Sequence, residues 1–252
     1  MAGCRRGRME PSEAFGVGRG DTVAVVGAGG KKSTLYALAA GLGRAVLTAT
    51  VRIPPFEGHV GRLVVTERPG DAVAGADEGD WPLGVVPGRD GDRDRYLGYD
   101  PATVGTLASA TDAPVLVKAD GARRRWFKAP ADDEPQVPAA ATVVVPVASV
   151  RVLGEPLSEE RVHRPERVAA LTDLSVGDAI GVDDVVAVST HPSGGLKGVP
   201  EGAAVRPLLN MVDDDGLEAT ARDIANRLLE HRRVERVILG RMDLRNVVDV
   251  VE

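Results

Sequence analysis

A run of glycines near the start of the chain is followed directly by two lysines and two hydroxyl residues. In order, these positions are Gly27, Ala28, Gly29, Gly30, Lys31, Lys32, Ser33 and Thr34. Glycine has no Cβ, so the amides of such a loop can close on an anion, and a helix that follows points its positive end there. Lysine adds charge for terminal phosphates, and a hydroxyl can reach Mg²⁺. The pattern predicts a loop that binds a nucleoside triphosphate, ATP or GTP, together with Mg²⁺.

The spacing leaves open which lysine contacts the phosphates. In the usual pattern GxxxxGK[ST], the lysine follows a glycine and precedes a hydroxyl residue. Lys31 follows Gly30 as this pattern requires, but Lys32 then stands where the hydroxyl is expected. If Lys32 is the phosphate lysine, Lys31 occupies a glycine position, and Ser33 or Thr34 remains to bind the metal. The structural alternative is a tight glycine turn whose lysines face solvent.

The predicted elements around the loop indicate an α/β fold. Residues 23–26 form a short apolar run typical of a buried parallel strand, and apolar residues recur at helical spacing over 35–42. Further apolar strands are predicted at 45–49 and 114–119. In an open parallel sheet, ligands bind outside the carboxyl ends of the strands. Polar residues that follow these strands are therefore candidates for the same site as the glycine loop.

Polar residues follow both of these later strands. Thr50 and Arg52 come after the first one and are candidates for contacts to the γ-phosphate or a metal, with a threonine-rich turn as the alternative. Asp120 ends the second one, where P-loop enzymes place a carboxylate that holds Mg²⁺; an Asp–Gly turn is the alternative. The predicted catalytic residues are Lys31, Asp120 and Arg52, and the predicted metal ligands are Ser33 and Asp120.

A third strand end supplies a candidate for base recognition. The run Asn210-Met211-Val212-Asp213 resembles the NKxD element of GTP-binding proteins, with methionine in place of the lysine. A carboxylate at Asp213 can accept hydrogen bonds from guanine N1 and N2, which adenine does not offer as donors. We therefore predict nucleotide contacts from Asn210 and Asp213. The alternative is that Asp213 belongs to the start of the helix that follows.

Composition and charge exclude several classes of protein. The 252 residues carry 31 Lys and Arg against 37 Asp and Glu, a net charge of −6 that argues against a nucleic-acid partner. Cys4 is the single cysteine, so one chain offers neither a disulfide nor a cysteine metal cluster. The basic start lacks the apolar segment of a signal peptide, and no apolar run has the length of a membrane span. A cytoplasmic protein without a membrane partner is expected.

The predicted organisation is one α/β domain with a mainly parallel sheet flanked by helices, similar to P-loop NTPases. Residues 1–20 are expected to form a mobile arm, and residues 21–252 the single domain. The stretch at 57–99 is rich in Asp and Gly and is expected to be an irregular insertion, with short strands near 62–66 and 82–87.

Several separate motifs together resemble a known family. They are VGAGGKKST at 26–34, TATVRI at 48–53, KADGARRRWFKAPADDEPQVP at 118–138, VLGEPLSEERVHRPE at 152–166, THPSGGLKGVP at 190–200 and LLNMVD at 208–213. The chain strongly resembles the YqeC family, which is described as accessory proteins of selenium-dependent molybdenum hydroxylases. The resemblance implies an NTP-binding P-loop fold and a role in maturing such a hydroxylase or its cofactor. It implies as partners the hydroxylase or a protein of cofactor biosynthesis.

The chain departs from the family pattern in three places, one of which is the basic cluster Arg123 to Arg125 within the motif at 118–138. Lys32 stands where the family tends to have a hydroxyl, and Lys118 where an acidic residue is common. Two other functions stay open: a small-molecule kinase in which Asp120 or Arg125 faces an acceptor, and a nucleotide-sensing scaffold without turnover. Arg164 is a further candidate for contact with an anionic substrate.

Overall fold

The computed structural model describes residues 9–252. Most of its strands form one ten-stranded sheet. The strands are β1 (Thr22–Gly27), β2 (Val46–Ala49), β3 (Arg62–Val65), β4 (Leu83–Val86), β5 (Val115–Lys118), β6 (Phe127–Lys128), β7 (Val143–Ser149), β8 (Val162–His163), β9 (Ala204–Val205), β10 (Leu208–Asn210), β11 (Val237–Arg241) and β12 (Asn246–Val251). The sheet order is β12-β11-β10-β7-β1-β5-β2-β4-β3, with β9 also paired to β7, and β6 and β8 form a separate two-stranded sheet.

All neighbouring strands of the large sheet run parallel except β11 and β12. β1 lies at its centre, in register with β5 on one side and β7 on the other. Strands buried on both faces read as continuous apolar runs, as the sequence does at β1 and β5. The predicted fold class, an α/β protein with a mainly parallel sheet, is confirmed.

Seven α-helices accompany the strands in the described part of the chain. They are α1 (Pro11–Ala14), α2 (Lys31–Leu42), α3 (Pro69–Ala74), α4 (Pro101–Ser109), α5 (Pro165–Ala169), α6 (Val182–Thr190) and α7 (Asp215–Leu229). None of the helices within residues 9–252 has the length and apolar character needed to cross a membrane. The local sequence explains where α4 begins, because Asp100 caps this helix by accepting a 2.8 Å hydrogen bond from the amide of Ala102.

Side chains alternate between the two faces of the sheet and create a core on each. On β5, Leu116 packs in the cluster that contains residues of α2, whereas Val115 and Val117 pack in the cluster that contains residues of α4. On β10, Leu209 packs with residues of α6 and α7. Helices therefore cover both faces, and the carboxyl edge of the sheet is left to the loops.

The segment that precedes β1 differs from the predicted mobile arm. Residues 1–8 lie outside the described part of the chain, but α1 and the residues after it pack against the domain. The Phe15 side chain is 0% exposed and belongs to the same core cluster as α2. The Arg236 guanidinium also donates a 3.2 Å hydrogen bond to the carbonyl of Ala14. From α1 onward this part of the chain contributes to the core, because it supplies an apolar side chain that the α2 face buries.

The stretch at 57–99 contains both of the short strands predicted there. β4 pairs with β2, and β3 pairs with β4 at the edge of the sheet. Only four residues form each strand, and irregular segments join them. The stretch therefore extends the sheet while remaining irregular over much of its length.

Candidate functional site

Five strand ends meet at the carboxyl edge of the sheet and hold the predicted site residues. The glycine loop follows β1, Thr50 follows β2, and Asp120 follows β5. Ser149 ends β7, and Asn210 ends β10. The parallel order of these strands brings together side chains that are far apart in the sequence, as open α/β sheets do at their ligand sites.

The glycine loop adopts a backbone that needs glycine at each of its tight positions. Gly29 has φ +88° and Gly30 has φ +137°. A Cβ on Gly29 would lie 2.7 Å from the amide nitrogen of Ser149, and a Cβ on Gly30 would lie 2.0 Å from Nδ2 of Asn210. Both contacts are closer than van der Waals contact allows. The loop therefore lies directly against the ends of β7 and β10, with room for bare backbone only.

Asn210 fastens this loop to the sheet. Its Nδ2 donates to the carbonyl of Gly29 at 2.8 Å, and its Oδ1 accepts from the amide of Met242 at 3.0 Å. The side chain is 2% exposed. Both polar ends have partners inside the protein, and in this geometry the residue supports the loop. Its contact with a nucleotide stays a prediction.

Lys31 is the first residue of α2 and points inward. Its Nζ lies 2.8 Å from Oδ1 of Asp120 and donates to the carbonyl of Gly27, and the residue is 6% exposed. Burial is the largest influence on its pKa and lowers it, although the charge of Asp120 acts in the opposite direction. Lys31 thus lies beneath the glycine loop, with its ammonium group at the loop's first carbonyl.

Lys32 lies in different surroundings, on the wall of a large cavity. This cavity, called the basic cavity below, has a volume of about 610 Å³. Nine of its lining residues are basic, and in the part of the chain that the structure describes none is a carboxylate. The basic ones are Lys31, Lys32, Arg52, Arg93, Arg95, Lys118, Arg123, Arg124 and Arg125. Burial, with the charges of Arg124 and Arg95, lowers the pKa of Lys32. Such a concentration of positive charge is suited to a polyanion.

Asp120 is buried among positive groups. Its Oδ2 accepts a 2.8 Å hydrogen bond from the amide of Gly27 and lies 3.0 Å from Nζ of Lys128, in addition to the Lys31 contact at Oδ1. The residue is 1% exposed. Asp120 therefore joins the end of β5 to the glycine loop and neutralises two buried lysines.

The ion pairs continue beyond Asp120. Nζ of Lys128 lies 2.7 Å from Oε2 of Glu134, and the same oxygen lies 2.8 Å from Nη1 of Arg164. Burial alone would raise the pKa of Glu134, but the hydrogen bond from Arg164 and the charge of Lys128 together lower it to about 2. We call this series the ion-pair chain: Lys31, Asp120, Lys128, Glu134 and Arg164. Lys128 and Glu134 were not predicted as site residues, although both belong to the KAPADDEP part of the motif at 118–138.

The predicted hydroxyl ligands lie in three different places. Thr34 is buried inside α2, where its Oγ1 donates to the carbonyl of Gly30 at 3.1 Å. Thr50 is turned away as well, because its Oγ1 donates to the carbonyl of Gln136 at 2.7 Å. Ser33 lines the basic cavity. Of the three hydroxyls, Ser33 is therefore the one available to a ligand there.

Arg52 and Lys118 both contribute to the cavity wall, and they contact each other. Nε of Arg52 lies 2.6 Å from Oδ2 of Asp90, and its backbone carbonyl accepts a 2.9 Å hydrogen bond from Nζ of Lys118. Lys118 is 7% exposed. Burial, followed by the charge of Lys31, lowers the pKa of Lys118 to about 7. Near neutral pH this lysine can therefore gain or lose its charge.

The arginines after β5 lie on a strained backbone. Arg123 has φ 45° and Arg124 has φ 64°, a left-handed region that side chains other than glycine seldom adopt. Both side chains line the basic cavity, as does Arg125. Strain of this kind costs about 1–3 kcal/mol per residue and concentrates at functional sites. This turn therefore places three consecutive arginines on the wall of the basic cavity.

The predicted base contact at Asp213 is not on the cavity wall. Its carboxylate is paired with Arg151, and its Oδ1 lies 2.9 Å from Nε of Arg241. Met211, two residues earlier, is the member of this run that lines the cavity. The cap of α7 is Asp214, whose Oδ1 accepts a 2.8 Å hydrogen bond from Leu217. Asp213 thus forms ion pairs with two arginines beside the site.

The sheet and site together define the class of this protein. A glycine loop lies between the central parallel strand β1 and the helix after it. A carboxylate follows the neighbouring strand of the sheet, β5, as in P-loop-NTPase-like α/β proteins. A family model described as YqeC protein matches residues 23–166, more than half of the chain. The chain belongs to the YqeC family. The matched part holds the glycine loop and all of the ion-pair chain, whereas Asn210 and Asp213 lie outside it.

A relative from Escherichia coli (strain K12) bears the name Uncharacterized protein YqeC. It is 34% identical over 109 residues, and the alignment covers 43% of this chain and 43% of that protein. No solved structure matches the chain.

Proposed function

We propose that this protein binds a nucleoside triphosphate, ATP or GTP, with Mg²⁺ and hydrolyses it as an accessory protein in the maturation of a selenium-dependent molybdenum hydroxylase or its cofactor. The observation that carries the nucleotide part is the basic cavity beside the glycine loop. Nine basic residues line it, and no carboxylate on its described wall opposes them. A triphosphate carries several negative charges in a small volume, and it is the anion that such a cavity fits best.

The glycine loop and Lys31 are assigned to the terminal phosphates. The amides at the start of α2 can donate hydrogen bonds to an anion, because the first turn of a helix leaves its N–H groups without intrahelical partners. Lys31 lies below that turn, with its ammonium group 2.8 Å from Asp120. In the proposed complex Lys31 exchanges part of this contact for a phosphate oxygen, and Lys32 with Arg124 neutralises charge at the cavity wall.

The oxygen donors present fit a magnesium ion that is held mainly by phosphates. Mg²⁺ is usually bound through one or two carboxylates, substrate phosphates and water. Residues 9–252 contain no cluster of three or more His, Cys, Asp and Glu suited to a metal. Ser33 on the cavity wall would contact the ion. Asp120 is buried behind the glycine loop at the end of β5 and would act on the ion from its outer shell. When bound, the ion would neutralise charge on the β- and γ-phosphates.

Turnover requires charge stabilisation on the transferring phosphoryl group. Arg52 and Arg123 to Arg125 all line the basic cavity and supply guanidinium groups of the kind that act on this charge in other phosphoryl-transfer enzymes. Arg52 is held by Asp90, so it is oriented before a ligand arrives. The arginine-rich turn is the second source of charge, and a substrate is expected to bring it to the phosphates.

The physiological setting of the proposal comes from the family resemblance. An accessory role in hydroxylase maturation makes the hydroxylase, or an enzyme of cofactor biosynthesis, the expected protein partner. A second candidate function, phosphoryl transfer to a small molecule, is favoured by a separate cavity next to the basic one. That cavity has a volume of about 400 Å³, large enough for an acceptor.

The proposal is tested by nucleotide turnover. Purified protein is incubated with Mg²⁺ and either ATP or GTP, and released phosphate is measured alongside the nucleotide that stays bound. We expect slow phosphate release by the wild type and its loss in Lys31→Ala. The matched control is Arg68→Ala, which removes the charge of a side chain that is 84% exposed and lies directly before α3. Bound nucleotide without phosphate release would replace hydrolysis by a sensing role, and absence of binding would overturn the proposal.

A further inference from the structure

A second cavity, called the adjoining cavity below, shares part of its wall with the basic cavity. Its volume is about 400 Å³, within the range of small-molecule sites. Its wall shares Arg52, Arg93, Gly121 and Arg123 with the basic cavity. A molecule in the adjoining cavity would therefore lie beside the ligand of the basic cavity, with shared arginines between the two.

The wall of the adjoining cavity is chemically mixed, unlike that of the basic cavity. It adds Gln136, His163 and Arg164 to the shared arginines, and it also carries two carboxylates, Asp133 and Glu134. Glu134 is already neutralised by Lys128 and Arg164. The balance of charge that faces a ligand is therefore positive, and neutral donors and acceptors stand beside it.

His163 is one of these neutral groups. Burial, followed by the charge of Arg164, lowers its pKa to about 4. At neutral pH its imidazole is uncharged and can both donate and accept a hydrogen bond. A ligand that fits this wall combines an anionic group with hydroxyl or amide groups.

Two of the shared arginines make no direct contact with a carboxylate. Within residues 9–252, the guanidinium of Arg123 makes no hydrogen bond or ion pair, and that of Arg93 acts on Asp90 only through its charge. Arg123 is also held in a left-handed backbone conformation at φ 45°. At the boundary between the cavities, an anion could bind these guanidinium groups without breaking a direct contact to a carboxylate.

The ion-pair chain links the walls of the two cavities, because Lys31 lines the basic cavity and Glu134 and Arg164 line the adjoining cavity. Its successive contacts, from Lys31 to Asp120, Lys128, Glu134 and Arg164, measure 2.8, 3.0, 2.7 and 2.8 Å. Arg164 is itself left-handed at φ 62° and stands directly before α5. A strained arginine thus reaches the adjoining cavity at one end of the chain, and Lys31 reaches the glycine loop at the other.

We propose that the adjoining cavity binds a small organic anion, bearing a phosphate or carboxylate group, as a co-substrate next to the nucleotide. This inference rests on the proposed function and names the second molecule of the site. Arg123 and Arg93 hold the anionic group at the boundary, and Arg164, His163 and Gln136 contact the rest of the molecule.

The test uses calorimetry on the full chain saturated with a non-hydrolysable triphosphate and Mg²⁺. Inorganic phosphate and citrate are titrated separately, so that the two arms distinguish a phosphate group from a carboxylate. We expect at least one of these anions to bind the wild type, and binding to weaken about tenfold in Arg164→Gln, because one charge-assisted contact is lost. His163→Trp, which fills the cavity while leaving the ion-pair chain in place, is expected to give a similar loss. Arg68→Gln is the matched control and should bind as the wild type does.

Each outcome bears on the inference. If neither anion binds the nucleotide-saturated wild type, or if both variants bind as tightly as the wild type, the adjoining cavity is not a co-substrate site. The proposed function survives that result, because nucleotide binding is measured first in the same cell. If no nucleotide binds at all, the proposed function is lost, and the inference is lost with it.

Discussion

Lys31 and Lys32 are neighbours in the sequence but have opposite surroundings. Successive residues of a helix are rotated by about 100°, so adjacent side chains at the start of α2 cannot face the same way. Both lysines border the basic cavity, but Lys31 is buried with its ammonium group against Asp120, whereas Lys32 is partly exposed on the cavity wall. The same rotation buries Thr34 and leaves Ser33 at the cavity. Sequence spacing left the lysine register open because it did not fix where the helix begins.

The two lysines are therefore expected to contribute unequally to nucleotide binding. Lys31→Ala removes a buried charge beside the glycine loop and should weaken ATP binding roughly 100-fold, near the upper range for a charged hydrogen bond. Lys32→Ala removes a charge that solvent and neighbouring arginines partly replace, so about tenfold is expected. Calorimetric titration of both variants, with Arg68→Ala as control, measures the difference. A larger loss in Lys32→Ala would reverse the assignment.

Lys118 gives the site a pH dependence. Burial lowers its pKa from 10.5 to about 7, so the folded chain releases this proton more readily than the unfolded chain does. The penalty for burying the charged form develops as pH falls from 10.5 toward 7 and is complete below that value. Lys118→Met should therefore stabilise the protein, and by a larger amount at pH 6 than at pH 9. Urea unfolding of both proteins at the two pH values measures this; an equal gain would contradict the lowered pKa.

Among the elements, the glycine loop depends most on its neighbours. It contacts Ser149 at the end of β7 and Asn210 at the end of β10 so closely that no Cβ fits at Gly29 or Gly30. The conformation of the loop is thus determined by two strands that come more than a hundred residues later. The glycines themselves were visible in the sequence, but the packing that makes them necessary was not.

Asn210→Asp tests this support with little change of shape. The substitution replaces the donor to the Gly29 carbonyl by a second acceptor, so two buried oxygens would face each other across 2.8 Å. We expect a loss of roughly 2 kcal/mol in the free energy of unfolding and weaker ATP binding, because the loop loses its attachment. Asn226→Asp on an exposed position of α7 is the matched control. Wild-type stability and ATP affinity in Asn210→Asp would show that the loop keeps its conformation without the hydrogen bond from Asn210.

Sequence patterns predicted most strands around the site but missed a central one. The predicted runs at 23–26, 45–49 and 114–119 correspond to β1, β2 and β5. β7 was not predicted, since Pro146 interrupts its apolar run and proline lacks the amide that a central strand normally uses. In the structure Pro146 is nevertheless in register with Val26 of β1. The ion-pair chain was also not predicted, because Lys31 and Arg164 are far in sequence from the motif at 118–138 that holds its other members, and only the fold brings them together.

At the scale of the whole molecule, charge is distributed very unevenly. The chain is acidic overall, at −6, yet nine basic residues surround one cavity at the carboxyl edge of the sheet. The overall charge was the argument against general nucleic-acid binding, and it gave no sign of this local concentration. An anionic ligand is therefore attracted by the cavity and not by the surface as a whole.

The packing of the segment before β1 is a second property of the whole molecule, and Phe15 tests it. This side chain is 0% exposed and joins the core cluster on the α2 face. Phe15→Ala should lower the free energy of unfolding by roughly 3–5 kcal/mol, since a large buried side chain is removed. Urea unfolding measures the change, with Val176→Ala, at a position 60% exposed, as control. A change as small as that of the control would mean that this segment is a mobile arm after all.

The most direct test of the whole account is calorimetric titration of the wild-type protein with ATP and with GTP, each with and without Mg²⁺, repeated on Gly30→Ala. We predict saturable binding of at least one triphosphate by the wild type. Binding should be lost in Gly30→Ala, because a Cβ there would lie 2.0 Å from Nδ2 of Asn210 and displace the loop. A folded wild-type protein that binds neither triphosphate would contradict the account.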